Sequence, residues 1–186
     1  MSFVNDPPFG LGQTLGVSST DDGTGWVGTV KQFPDVDPTT GQVRSNRVKT
    51  CIAVRNSSGV TLYGKRMVKF VTGSYTAVDE YTRLTNDRPA GITDEHLSSA
   101  GVVANDVFWV TVDGPSELTV DEAVAVGDLL VANTAVAGGA TDSSTGGKAV
   151  TATGTEAAAA LGLVAVAVSS AAAADDDVLA IVKLGR

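Results

Sequence analysis

Among 186 residues there is one cysteine, Cys51, and one histidine, His96. A lone cysteine excludes an internal disulfide framework and any Cys-rich metal site. A lone histidine excludes a multi-histidine zinc site. Aromatic residues make up 5% and charged residues 18%, so the interior must be built mostly from Val, Leu, Ile and Ala. The apolar stretches are short and broken by Ser, Gly or Asp, so no membrane-spanning helix and no membrane partner are expected. Met1-Ser2-Phe3-Val4-Asn5-Asp6 has neither a basic start nor an apolar run, so no signal peptide is expected. Positive charge is scarce: 13 Lys/Arg against 21 Asp/Glu give a net charge of −8, which argues against free DNA or RNA as the partner.

What the chain does have is enough apolar residues, 43%, to bury a core. Its charge is unevenly spread. Residues 1–90 carry ten Lys/Arg and eight Asp/Glu, whereas residues 91–186 carry three and thirteen. A molecule polarised in this way suits oriented docking on a charged surface.

Residues 1–25 hold Pro7, Pro8 and five glycines without a lasting period, and read as an extended N-terminal arm. Phe3, Val4, Phe9, Leu11, Leu15 and Val17 are spaced through it, as an arm lying in a partner's groove would require. Residues 26–116 read as a first β unit. Within it, 26–33 is a strand, and Pro34–Gly41 is dense in turn formers. The Asp35-x-Asp37-x-Thr39 string faintly resembles a calcium loop, but Gly41 falls one place late for an EF-hand and no closing Glu follows, so a hairpin turn is the expectation. Residues 46–56 and 60–71 flank Asn56-Ser57-Ser58-Gly59 and predict a β-hairpin. That hairpin and the residues leading into it carry Arg44, Arg47, Lys49, Arg55, Lys65, Arg66 and Lys69, with few acids nearby in sequence. Residues 105–113 predict another strand. Residues 117–186 read as a second, acidic Ala/Val-rich unit sharing one core with the first. It holds a short strand, a turn and Gly127–Ala132, and then a surface loop at 138–147. Residues 155–160 are a loop or single helical turn and 162–168 an alternating strand, with one helix over 155–174 as the alternative.

An internal repeat organises these segments. At a constant offset of 71, residues 91–114 match 162–185. Gly91 meets Gly162, Ser98-Ser99-Ala100 meets Ser169-Ser170-Ala171, Asp106-Val107 meets Asp177-Val178, and Gly114 meets Gly185. Upstream, Gly64 corresponds to Gly127. Two related β units therefore predict an all-β fold, a small barrel or sandwich.

Catalysis needs converging groups, and the sequence supplies none. His96 stands alone and its repeat counterpart is apolar. Cys51 sits mid-strand, where a small buried hydrophobe is the natural reading. Asp175-Asp176-Asp177 reads as a solvated loop before the last strand rather than a cation site. Gly10-Leu11-Gly12 and Gly23-Thr24-Gly25 lack the strand and helix of a nucleotide loop. A non-enzymatic protein without metal or cofactor is expected.

Four blocks occur in order towards the end of the chain: Gly127-Asp128-Leu129-Leu130-Val131, Gly147-Lys148-Ala149-Val150-Thr151-Ala152, Leu161-Gly162-Leu163-Val164-Ala165 and Asp177–Leu184. This succession resembles the capsid decoration (cement, head-stabilising) proteins of tailed bacteriophages over residues 100–186, and loosely over 46–99 through the repeat. The resemblance implies a virion protein on the capsid exterior, assembled in the host cytoplasm. It would bind the major capsid protein and itself, commonly as a homotrimer. The expected docking residues are Phe3, Phe9, Leu11 and Leu15 of the arm and Arg44, Arg47, Lys49 and Arg55 of the basic hairpin. Of these, Arg47, Lys49 and Arg55 share one parity and hence one strand face. A phage tail, baseplate or surface module binding receptors or glycans is the alternative, which exposed aromatics lining a groove would favour.

Overall fold

Short runs rich in Val, Ile and Thr, separated by Gly, Asn and Asp, set an all-strand architecture. The computed structural model describes residues 9–16, 23–81, 88–132, 149–151 and 165–184. Its strands are β1 (Val30–Val36), β2 (Val43–Asn56), β3 (Met67–Phe70), β4 (Ala77–Glu80), β5 (Pro89–Thr93), β6 (Val107–Thr119), β7 (Leu129–Ala132), β8 (Ala149–Thr151), β9 (Ala165–Ala167) and β10 (Asp177–Lys183). Among the described residues the helical structure is one 3-10 turn, Gly23–Trp26.

The strands form one sheet in the order β1-β2-β4-β3-β5-β6-β10-β9-β7-β8, and β2 also pairs with β6. That extra pairing closes β2, β4, β3, β5 and β6 into a five-stranded ring. Its filling is Val54, Leu62, Val68, Val78, Ala90, Val102, Phe108 and Val110. A second core fills the other half, with Leu118, Val120, Val124, Leu130, Val178, Ala180 and Val182, and it recruits Met67, Tyr81 and Ile92 from the first half.

The repeat is real, but its register differs from the gapless match. Met67 pairs with Ile92 as Leu129 pairs with Val166. Ile92 pairs with Thr111 as Val166 pairs with Ile181. Val68 faces Glu80 as Leu130 faces Thr151. The bridge Leu62–Val102 recurs as Val124–Ala171. Left-handed Lys65 (φ 60°) and Asn105 (φ 74°) recur as Gly127 (φ 92°) and Asp175 (φ 70°). Structural equivalence therefore puts Gly127 on Lys65 and Asp175 on Asn105, one residue away from the sequence match. Val54, Val68, Phe108 and Val110 of one core become Leu118, Leu130, Val178 and Ala180 of the other.

The chain reuses β6. Its first half pairs with β2 and β5, and its second half, from Asp113 to Thr119, pairs with β10. The handover occurs at Gly114, where φ is +100° and an added Cβ would lie 2.5 Å from the Val48 carbonyl oxygen. The expected boundary at 116/117 thus falls inside a shared strand.

Several sequence expectations are corrected. Residues 46–56 and 60–71 do not form a hairpin. One side of β2 is taken by β6 and the other by β1 and then, at Arg55 and Asn56, by β4. The Asn56 amide draws the chain away by donating to the Val60 and Val102 carbonyls (2.7 and 2.9 Å). β3 then settles between β4 and β5. The hairpin turn expected at Pro34–Gly41 is present and joins β1 to β2. There the Asp37 carboxylate accepts from the Thr39 and Thr40 amides (2.8 and 2.7 Å), and the Thr40 bond chiefly lowers its pKa. The first strand begins at Val30 rather than Trp26. The strand expected within 162–168 is present as Ala165–Ala167, while 152–164 and the 138–147 loop lie outside the described residues.

Candidate functional site

Two faces of the β1–β2 hairpin do different work. Cross-strand partners share a face, and the inner face holds Phe33, Asp35, Lys49, Cys51 and Ala53. Phe33, Cys51 and Ala53 pack with Phe9, Val107 and Trp109 in a third core. Phe9 stacks on Trp109 at 4.9 Å, and the Trp109 indole N–H donates to the Phe9 carbonyl (3.3 Å). Leu15 pairs with Val107 by two backbone bonds. Residues 9–16 are therefore part of this protein's own core, which corrects the free arm. Phe9 is buried against this core and closed to a partner, while Leu11 and Leu15 pack on it half-buried. Phe3 lies outside the described residues.

Beside that core runs an ion network. Arg44 donates from Nε to Asp35 (2.9 Å), from Nη1 to Glu117 (2.9 Å) and from Nη2 to Glu95 (2.7 Å). Buried Lys49 pairs with buried Glu95. Lys65 bridges Glu117 (2.7 Å) and Asp177 (2.5 Å). Burial alone would lower the Arg44 and Lys65 pKa values, but the carboxylates around each raise them. Neighbouring Asp94 accepts from the Gly12 amide (2.5 Å) and the His96 amide (3.0 Å), yet burial still raises its pKa. The network joins the hairpin, the loop after β5, β6 and β10.

This placement corrects the basic docking face. The acids that answer Arg44, Lys49 and Lys65 are distant in sequence, which is why local reading missed them. Lys49, at 1% exposure, is not available to a partner, and Arg44 is mostly enclosed by three carboxylates. Arg47 is exposed and Arg55 half-buried. They lie eight residues apart on β2, roughly 26 Å at strand rise, so they make no compact patch.

The outer face was not anticipated. Across the hairpin, Val30 faces Ile52, Gln32 faces Thr50, Pro34 faces Val48 and Val36 faces Val43. These four cross-strand pairs contain no charged side chain, and Val30, Val43 and Val48 are 57%, 63% and 51% exposed. β1 lies at the end of the sheet order. The bonded pair Thr29–Ala53 sets the alternation, so the nitrogen of Pro34 faces away from β2. A proline there blunts the open edge, leaving the face rather than the edge for contact. The sequence signal for it was the uncharged even-numbered set Val30, Gln32 and Pro34.

Cys51 is buried, chiefly by desolvation its thiol is pushed up to about 12, and its Sγ lies 3.6 Å from the Thr111 hydroxyl. At neutral pH it is a packing residue. Among the described residues no group of three or more His, Cys, Asp or Glu is placed to hold a metal ion, and no helix is long and apolar enough to cross a membrane.

Fold and surface together define an all-β protein with duplicated strand units and a neutral apolar hairpin face. No protein-family model and no curated protein matches the chain. One solved structure similar to it is the head fiber gp8.5 N base in bacteriophage phi29, at 13% identity and a TM-score of 0.44, covering 73% of this chain and 95% of that one.

Proposed function

We propose that the protein is a non-catalytic structural component of a bacteriophage virion that binds the capsid exterior and bridges major capsid protein subunits. The resemblance of its motif order to decoration proteins supports the reading. The observation that carries the docking surface is the outer hairpin face, three exposed valines and Pro34 free of charge in a chain of net charge −8. Neutral apolar side chains gathered on one face mark a contact site, and they give a docking surface that the net charge does not oppose. Binding only the assembled shell stabilises it by mass action. Self-association as a homotrimer would join several weak footprints into one strong attachment.

The test uses shells assembled without the protein. Val43→Asp and Val48→Asp lie on the exposed face, so the double variant is expected to melt within a degree or two of the wild type yet bind shells at least tenfold more weakly. Cryo-EM of decorated shells is expected to show density for the hairpin against the shell. Unchanged binding by the double variant, or density on another structure of the virion, would refute the reading. Native mass spectrometry checks the trimer separately.

A further inference from the structure

At the far end of the first ring β3 hands over to β4 through a turn that is locked from within. The Val71 amide donates to the Ala77 carbonyl (3.0 Å) and the Ser74 amide to the Val71 carbonyl (2.9 Å). The Ser74 hydroxyl accepts from the Thr76 and Ala77 amides (3.1 and 2.9 Å). The turn holds Tyr75 outward at 68% exposure, its ring steadied edge-on by Phe70 at 6.2 Å. Arg88 is tied to the same strand, its carbonyl accepting from the Phe70 amide (3.0 Å). Together they line a cleft of about 330 Å³ that also includes Thr72.

Arg88 differs from the cations of the ion network. Arg44 has three carboxylates and Lys65 two, whereas the exposed Arg88 guanidinium has no ion pair or side-chain hydrogen bond among the described residues. In a chain so rich in acids, an arginine without an acid partner among the described residues, lining the same cleft as an exposed tyrosine, marks a place where a ligand can supply the carboxylate.

We propose that this cleft binds a pyranose bearing a carboxylate, a uronic or sialic acid. The volume is at the small end of ligand clefts (roughly 300–1,000 Å³), room for about one sugar ring. The Tyr75 ring offers an apolar surface to the C–H face of the sugar, as amphipathic aromatics do at wet interfaces. Arg88 offers the planar fork that takes a carboxylate in two parallel hydrogen bonds. The Thr72 hydroxyl can donate to or accept from the sugar hydroxyls. A phosphate ligand would ask for more donors than one guanidinium. The inference rests on the cleft alone and stands apart from the capsid reading.

The test is a titration of the full chain, followed by NMR, with methyl glucuronide, N-acetylneuraminic acid, methyl galactoside and acetate. One or both acidic sugars are expected to shift the Tyr75 ring and Thr72 amide signals with a Kd on the order of 1 mM, as suits a small open site. Which of the two binds more tightly identifies the source. Methyl galactoside and acetate are expected to bind at least fivefold more weakly. Tyr75→Ala and Arg88→Gln, both at exposed positions, are each expected to weaken binding at least fivefold with unchanged melting. Arg88→Lys, which keeps the charge but loses the fork, is expected to fall between Arg88→Gln and the wild type. No shift with either acidic sugar up to about 20 mM, acetate binding as well as the sugars, or variants binding as the wild type would each overturn the proposal.

Discussion

At the residue scale the decisive group is Lys49, read from sequence as one of a row of exposed cations and found buried against Glu95. Parity was legible: Lys49 does share a face with Cys51 and Ala53. What covers that face was not, because Phe9, Glu95 and Trp109 come from distant parts of the chain. Lys49→Ala leaves Glu95 its bonds to Arg44 and to the Glu117 amide. Breaking a buried pair costs roughly 3–5 kcal/mol, and the remaining Arg44 contact puts the expectation near the lower end, about 3 kcal/mol by urea unfolding. The double variant Lys49→Met/Glu95→Gln is expected to lose less than the two single losses added together. A second residue-scale expectation concerns pH. Asp94 has a folded-state pKa raised above 3.8, by burial first, so the folded chain binds this proton more tightly than the unfolded chain does. Its contribution is fully favourable below about 3.8 and is lost as pH rises through the folded-state value. Asp94→Asn lacks that titration. Unfolding free energies of both proteins, measured from about pH 3.5 to about pH 7, are therefore expected to move in favour of the variant as pH rises. A difference that stays flat, or moves in favour of the wild type, would show that Asp94 carries no such penalty.

At the element scale Gly91, matched by sequence to Gly162, faces Val68 as Ala165 faces Leu130, so its structural counterpart is an alanine and the glycine answers a local constraint. Gly91 sits in β5 with φ +141°, and an added Cβ would lie 2.3 Å from the Thr111 carbonyl oxygen and 2.6 Å from Val110. Neither can yield, since β5 and β6 are paired there. Gly91→Ala is expected to cost about 3 kcal/mol or more, from left-handed backbone and overpacking together. Gly59 also has a positive φ, +77°, but with open space around it, so Gly59→Ala is expected to cost only about 1 kcal/mol. Equal losses at the two sites would show that backbone conformation alone explains Gly91. The strands after Gly127 and Asp106 were legible because each follows a turn residue and is a short run of Leu, Val and, after Asp106, aromatic residues. The hairpin partner of β2 was misread because a short loop is the usual sign of adjacent strands, and here the Asn56 amide diverts the chain. The outer-face stripe was missed for a related reason: Val43 and Val48 become neighbours of Val36 and Pro34 only through a register shift near Pro34–Val36, which no period reveals.

At the scale of the whole molecule the sequence showed two related units and a charge split, and the structure explains both together. The basic first half and the acidic second half meet in the ion network, where Glu117 and Asp177 answer Arg44 and Lys65. Much of the asymmetry is therefore complementarity within the chain. β6 serves both units, and the second core borrows Met67, Tyr81 and Ile92 from the first. Units that share a strand, a core and an ion network cannot unfold one after the other without exposing apolar surface and stranding charges. The full chain is expected to show one thermal transition, with calorimetric and van't Hoff enthalpies in agreement. A fragment ending at residue 116 keeps the strands of the first ring but loses Glu117 and Asp177 and uncovers Met67, Tyr81 and Ile92. It is expected to bind a hydrophobic dye and to melt without a sharp transition. Two resolved transitions in the full chain, or a fragment that melts as sharply as the parent, would show that the units are joined only in sequence.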